Sequence, residues 1–258
     1  MACRWSVFAV FLVFAVGMAG AARAQLSTSE VQLHYGDGYR LGGNGLGTSA
    51  RSTVTFEHLS KRSYGDFFGF LDLTRDYNIL NPSTERSTYY GEAFFHLSAR
   101  TLGANIPDDG LFADFGPSIG INKGEGVTFG LIGGRANLRL PGFRLFSFQA
   151  YVFETLEDPF GRDLDTTYQL TFSFDRPFEL AGQKFLLKGF TDYIGARGLG
   201  TAPQHLIVPQ FRWDIGHELG GAANQYALGL EFFHFNNKFG VRGVRDNALS
   251  VFLRIKLH

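Results

Sequence analysis

Hydrophobic and polar residues alternate one by one in many short segments of this chain. Clear examples are residues 52–57 (STVTFE), 92–100 (EAFFHLSAR), 168–175 (YQLTFSFD) and 249–257 (LSVFLRIKL). Successive side chains of a β-strand point to opposite faces, so each segment has one apolar and one polar face. Segments of about ten residues that alternate in this way and are separated by turn residues are typical of a transmembrane β-barrel.

The alternation predicts an all-β fold, a transmembrane antiparallel β-barrel of twelve strands. The predicted strands lie near residues 30–37, 52–60, 66–74, 89–101, 111–121, 127–139, 143–155, 166–175, 184–194, 205–215, 225–235 and 247–257. An even number places both chain ends on one side of the membrane, as in bacterial outer-membrane barrels. With these ends in the periplasm, the predicted outer loops are 38–51, 75–88, 122–126, 156–165, 195–204 and 236–246.

Two prolines and the C-terminus depart from this simple pattern. Pro117 and Pro209 fall within predicted strands, although a closed barrel has no free edge for a residue without an amide donor. Each proline therefore predicts a bulge or a strand boundary in a different place. The last strand has a regular apolar face but is followed by His258, where such barrels usually end in an aromatic residue.

The first residues read as a secretory signal peptide. Arg4 supplies the positive charge, residues 7–16 form an apolar run, and Ala22-Arg23-Ala24 is a small-residue cleavage site. We expect residues 1–24 to be removed and residues 25–258 to form one barrel domain; the rival interpretation is a membrane-anchor helix. The only cysteine, Cys3, lies in this signal, so the mature chain would have no disulfide and no thiol nucleophile.

Composition narrows the class of protein. Without Arg4 and Arg23 the chain carries 22 basic against 24 acidic residues, which gives no electrostatic case for a nucleic-acid partner. The 28 phenylalanines and 33 glycines suit aromatic girdles and tight turns. A secreted β-sandwich or lipocalin-like barrel also alternates, but its apolar residues face inward. The number and length of the strands favour the membrane barrel.

An ordered series of short motifs carries a family resemblance. The motifs are Tyr35-Gly36-Asp37-Gly38-Tyr39, Thr55-Phe56-Glu57-His58, residues 64–72 (YGDFFGFLD), Tyr90-Gly91-Glu92, residues 189–193 (GFTDY) and residues 210–214 (QFRWD). In this order the chain resembles the Tsx/OmpK family of outer-membrane nucleoside-specific channel-forming proteins. The resemblance implies a monomeric barrel in the outer membrane of a Gram-negative bacterium that passes nucleosides by passive diffusion. Such proteins also serve as receptors for phages or colicins.

A pore for nucleosides needs rings that stack on the base and polar groups that bind the ribose hydroxyls. Alternation places some candidates on the interior face, and the resemblance adds two near the first hairpin. The pore-lining candidates are Phe68, Phe70, Asp72, Glu92, His96 and Arg100 from alternation, and Tyr39 and Glu57 from the resemblance. The competing interpretation is structural, since charged residues pair across the interior of any barrel and phenylalanines also form lipid-facing girdles.

Other functions stay open beside the nucleoside channel. A general small-solute porin or a phage-receptor barrel would have the same architecture. His58-Leu59-Ser60 and His96-Leu97-Ser98 have the His-x-Ser spacing of outer-membrane lipid hydrolases, because residues i and i+2 share a strand face. Alternation turns His96 and Ser98 inward, away from lipid, and places His58 and Ser60 near the membrane boundary. We expect no enzyme activity, catalytic residue, metal or cofactor; the sequence has no phosphate-binding loop, HExxH or EF-hand motif.

Overall fold

The structure of the protein is a computed structural model that describes residues 26–40, 47–77 and 86–257. The predicted signal peptide 1–24, the terminal His258 and parts of the predicted loops 38–51 and 75–88 lie outside the described residues.

Twelve antiparallel strands form one closed barrel, as the alternation predicts. Each strand pairs with its neighbours in sequence, and the last strand pairs with the first. The strands are β1 (Leu26–Arg40), β2 (Thr48–Arg62), β3 (Gly65–Tyr77), β4 (Arg86–Leu97), β5 (Phe112–Gly124), β6 (Val127–Leu138), β7 (Leu145–Glu157), β8 (Thr167–Leu180), β9 (Gln183–Ile194), β10 (Gln204–Asp214), β11 (Tyr226–Asn236) and β12 (Arg245–Lys256).

The wall is apolar outside and polar inside. In β1, Glu30, Gln32 and His34 are buried in the interior, whereas Leu33 between them is 44% exposed. In β12, Ser250 is buried and Val251 is 57% exposed. This is the reverse of a soluble lipocalin-like barrel, whose apolar residues face inward. A closed barrel with this outer surface satisfies its backbone hydrogen bonds inside lipid. The protein is a multi-pass outer-membrane β-barrel of the Gram-negative type.

Helical structure is confined to two short connections among the described residues. Helix α1 (Ile215–Glu218) follows β10 and is capped by Asp214, whose carboxylate accepts a hydrogen bond from the His217 amide at 3.2 Å. A 3₁₀ turn (Lys238–Gly240) follows β11. Within the described ranges, no helix is long and apolar enough to cross a membrane.

Both prolines lie within strands, at places where one neighbouring ladder is interrupted. The pairing of β5 with β4 begins at Ser118 in chain order, so Pro117 lies just before the first residue of that ladder. Pro209 is paired with Gly189 on β9, but the β10–β11 ladder lacks pairs between Ile207 and Gln210. The missing amide donors therefore fall at gaps in pairing.

Candidate functional site in the barrel interior

The strand register decides which predicted residues share the interior. Glu57, Phe70 and Glu92 are successive partners across β2, β3 and β4, so their side chains lie in one row on the same face. Asp72 forms a second row with Thr55 and Tyr90. The Thr55 hydroxyl donates to the Asp72 carboxylate at 2.6 Å, which identifies these rows as the polar, interior side.

Phe68 and His96 also lie on the interior face. Phe68 is the partner of Phe94 on β4, and His96 is the partner of Asp66 on β3. His96 is only 1% exposed. The residue beside Phe68, Phe67, points outward. The register thus places one of two adjacent phenylalanines in the interior and the other on the lipid-facing surface.

Tyr39 lies on the interior face near the end of the barrel opposite the chain termini. A register shift between Gly36 and Tyr39 in the β1–β2 ladder interrupts the simple alternation there. As a result Tyr39 is 5% exposed, and the Arg51 guanidinium lies 4.5 Å from the centre of its ring. We call this end of the barrel the extracellular end, and the end that holds Leu26 and Lys256 the periplasmic end.

The prediction that Arg100 lines the interior wall is wrong. The predicted strand 89–101 was too long at its C-terminal end, because β4 ends at Leu97. Arg100 lies in the following turn at the periplasmic end, with its Nη2 atom 3.1 Å from Asp108 Oδ1. The side chains of Arg100 and Asp108 are 40% and 95% exposed, so the pair is a surface contact outside the candidate site.

Aromatic side chains cover one side of the interior. The ring centres of Phe68 and Phe70 are 6.3 Å apart, and those of Phe70 and Tyr90 are 6.1 Å apart. Farther along the wall, the rings of Phe94 and Tyr151 are 5.7 Å apart. We call these five residues the aromatic wall. Their flat faces are the kind of surface on which a nucleobase stacks.

A glycine makes room for part of the aromatic wall. A Cβ atom on Gly120 would lie 2.4 Å from Cδ1 of Phe94, well inside van der Waals contact. Because Gly120 is the β5 partner of Phe94, the ring lies flat over the bare backbone of the neighbouring strand. The ring of Phe94 thereby stays against the wall beside Tyr151.

Charged residues occupy the opposite side of the interior, and sequence reasoning did not assign most of them to the site. Glu30 accepts hydrogen bonds from Nη2 of Arg212 at 2.9 Å and from Nε of Arg254 at 2.8 Å. Nζ of Lys188 lies 3.9 Å from the same carboxylate. We call Glu30, Lys188, Arg212 and Arg254 the charged cluster. Each of the four lies next to at least one apolar residue on the outward face of its strand, which is the signal that could have identified them.

The charged cluster reaches across the interior to β2. Lys188 on β9 also donates a hydrogen bond to the Glu57 carboxylate. Strands β9 and β2 are separated by four strands on one side of the barrel and by six on the other. The ion pair between Lys188 and Glu57 therefore spans the interior and narrows it at this level.

A loop at the extracellular end places one cationic side chain against aromatic rings of the interior. Arg197, in the β9–β10 connection, is 4% exposed and lies 5.4 Å from the ring centre of Phe129 and 5.9 Å from that of Phe153. Burial lowers the pKa of this guanidinium. In the neighbouring β7–β8 connection, hydrogen bonds from Arg162 lower the pKa of Asp158 to about 2.

In the second His-x-Ser copy, the imidazole of His96 forms no hydrogen bond with Ser98 or with any other described residue. Ser98 lies beyond the end of β4, and its hydroxyl donates to Asp114 at 2.9 Å. In the first copy His58 points outward, and its Nδ1 atom is 2.8 Å from the hydroxyl of Ser29 on β1. A serine nucleophile would need the imidazole as its hydrogen-bonded base. Within the described ranges, no group of three or more His, Cys, Asp or Glu side chains could hold a metal ion.

Comparisons with known proteins show solved β-barrels of similar fold but no matching family. No family model and no curated protein matches the chain. Among solved structures it is similar to a KdgM porin, with 7% identity, a TM-score of 0.49 and coverage of 89% of this chain and 99% of that chain. It is also similar to OccK11 (OpdR) of Pseudomonas aeruginosa, with 11% identity, a TM-score of 0.41 and coverage of 90% and 95%. A third is the translocator domain of the autotransporter NalP from Neisseria meningitidis, with 12% identity, a TM-score of 0.42 and coverage of 96% and 95%.

These neighbours share little sequence with this chain, and they include both porins and a translocator domain. The class of this protein therefore follows from its own closed barrel and its apolar outer surface.

Proposed function

We propose that the protein is an outer-membrane channel for the passive diffusion of small polar solutes, with nucleosides as its preferred class. The observation that carries the proposal is the aromatic wall facing the charged cluster inside one membrane-crossing barrel. A nucleoside combines a flat aromatic base with a hydroxyl-rich sugar. The aromatic wall offers faces for the base, and the opposite side offers hydrogen-bonding groups for the sugar.

The stacking energies that the aromatic wall can supply are small enough for a solute to bind and be released. Stacking of one base on an aromatic side chain contributes about 1–3 kcal/mol. A few such contacts hold a solute briefly, and conduction requires that binding stay weak enough for release. The ion pair between Lys188 and Glu57 narrows the interior, which brings a passing solute close to the side chains on both sides. Diffusion down a gradient needs no energy source or cofactor.

A general porin is the principal alternative. A wide pore would discriminate by size and charge alone, whereas an aromatic surface at a narrow point favours flat aromatic solutes. The resemblance of the chain to nucleoside-specific channels, drawn from motifs that include Phe68, Phe70 and Glu92, supports the same choice.

The test is conductance through purified protein in a planar lipid bilayer. We expect adenosine and thymidine to block the current transiently, and sugars of similar size to leave it unchanged. Phe68→Ala should weaken the block, while Phe67→Ala is the matched control because this neighbour points into lipid. Equal block by sugars and nucleosides would reduce the protein to a general pore, and the absence of any current would refute a channel.

A further inference from the structure

Four interior side chains on the extracellular side of the charged cluster have acceptor oxygens with no cationic side chain beside them among the described residues. They are Glu92 on β4, Asn122 on β5, Gln169 on β8 and Asp192 on β9, and we call them the acceptor cluster. Glu92 and Asn122 are direct partners in the β4–β5 ladder, and Gln169 and Asp192 lie on adjacent strands.

The two amides of the acceptor cluster have unused oxygens. Asn122 is 3% exposed and Gln169 is 2% exposed. Asn122 Oδ1 and Gln169 Oε1 are buried and have no hydrogen-bond partner among the described residues. The donor side of Gln169 is occupied, because its Nε2 atom donates to the Thr171 hydroxyl at 3.0 Å. A buried polar atom without a partner is unfavourable, so these oxygens indicate a missing donor.

The two carboxylates are hydrogen-bonded but not paired with a cation. Glu92 accepts from the Tyr90 hydroxyl at 2.8 Å, and Asp192 accepts from the Thr171 hydroxyl at 2.5 Å. Neither forms a salt bridge within the described residues, unlike Glu30 and Glu57 in the same interior. Asp192 and Glu92 lie within electrostatic reach of each other. A cation between them would stabilise the ionised form of both.

Aromatic rings lie beside the acceptor cluster. Tyr151 is the β7 partner of Gln169 and lies within electrostatic reach of both Glu92 and Asp192. Its ring is also packed against Phe94. A cation or an amino group near such ring faces gains a further electrostatic attraction.

We propose that the acceptor cluster is a subsite for a positively charged or amino nitrogen of the passing solute. An ammonium, a guanidinium or the exocyclic amine of a nucleobase supplies the donors that the four acceptors lack. A carbonyl at the same position of a solute would face only other acceptors. For nucleosides this inference rests on the proposed function and adds a preference for amino bases over their oxo counterparts.

The test uses two nucleosides of nearly equal size in the planar-bilayer assay. Adenosine carries an amine at the position where inosine carries a carbonyl. We expect adenosine to block the channel about tenfold or more better than inosine, since a hydrogen bond to a charged group contributes on the order of one factor of ten or more in affinity. Equal block of the unmodified protein by the two would overturn the subsite, and this comparison needs no variant that has to fold.

Variants then locate the effect. Glu92→Gln or Asp192→Asn should abolish most of the difference between adenosine and inosine. Glu231→Gln is the matched control, because it removes one interior carboxylate that already accepts from Gln210 Nε2 and belongs outside the acceptor cluster. An equal loss in the control would mean that overall charge, and not this subsite, sets the preference.

Agmatine separates the failure of the subsite from the failure of the nucleoside proposal. This small molecule has a guanidinium and an ammonium but no base. Block by agmatine that is lost in Asp192→Asn and kept in Glu231→Gln supports the subsite even if no nucleoside blocks the channel. Agmatine block that all variants share, or no block at all, overturns it. A protein without any current refutes both proposals.

Discussion

Replacing Glu30 with glutamine removes the carboxylate that holds Arg212 and Arg254 together. The two guanidiniums make three hydrogen bonds to this carboxylate, at 2.8, 2.9 and 3.2 Å. All three side chains are almost fully buried. Removing one partner of a buried ion pair costs about 3–5 kcal/mol, because it leaves an uncompensated charge. We expect a loss of free energy of unfolding in that range, towards its lower end if the glutamine oxygen keeps one hydrogen bond.

Urea unfolding of the protein refolded into lipid vesicles measures this loss. Trp213 is the only tryptophan after residue 24 and points out of the barrel wall, so its fluorescence reports the transfer from lipid to water. Glu179→Gln is the control, since Glu179 is an exposed acidic residue of β8 near the periplasmic end. Its effect should stay within about 0.5 kcal/mol.

A double-mutant cycle checks that the loss comes from the pair itself. Arg254→Met should cost much less in the Glu30→Gln protein than in the unmodified protein, because the second guanidinium has already lost its partner. A Glu30→Gln protein within about 1 kcal/mol of the unmodified one would refute the reasoning, since a buried charge cannot lose its partner at so small a cost. If the losses from Glu30→Gln and Arg254→Met simply add in the double mutant, the contact between the two side chains contributes no coupling energy.

Three further predictions use the same preparation. Val251→Arg places a charge on the lipid-facing side of β12 and should cost about 2–4 kcal/mol in the urea assay; no loss would mean that this face does not meet lipid. Gly229→Ala puts a Cβ atom 2.2 Å from Cζ of Phe252 and should cost about 1–3 kcal/mol through overpacking, so an unchanged unfolding curve would contradict the packing. The pKa of Asp158 is lowered to about 2 by hydrogen bonds from Arg162, so its stabilisation of the loop is present above about pH 4 and is lost as the pH falls towards 2. The loop's protection from hydrogen exchange should follow that curve in the unmodified protein and not in Asp158→Asn; identical curves would refute the assignment.

Local alternation determined much of the fold because it is a property of neighbouring residues. A strand must present residues i and i+2 on one face, so residues 92–97 could be divided into interior Glu92, Phe94 and His96 and exterior Ala93, Phe95 and Leu97. The same reasoning predicted that Phe67 and Phe68 separate, and it gave twelve strands. Where a strand ends is decided by pairing with its neighbours, which is why Arg100 was placed on the wall although β4 stops three residues earlier.

Closure of the barrel decided which interior side chains meet. Lys188 and Glu57 are 131 positions apart, and Arg212 and Glu30 are 182 apart, so no local pattern relates them. Their contacts depend on the order, tilt and stagger of all twelve strands around one axis. The sequence by itself specified a membrane barrel with a polar interior, because side-chain direction follows from backbone geometry. Only the tertiary structure joined the charges across that interior and set the acceptors beside Tyr151 apart from the cationic side chains that the structure describes, because such distances exist only once the sheet has closed on itself.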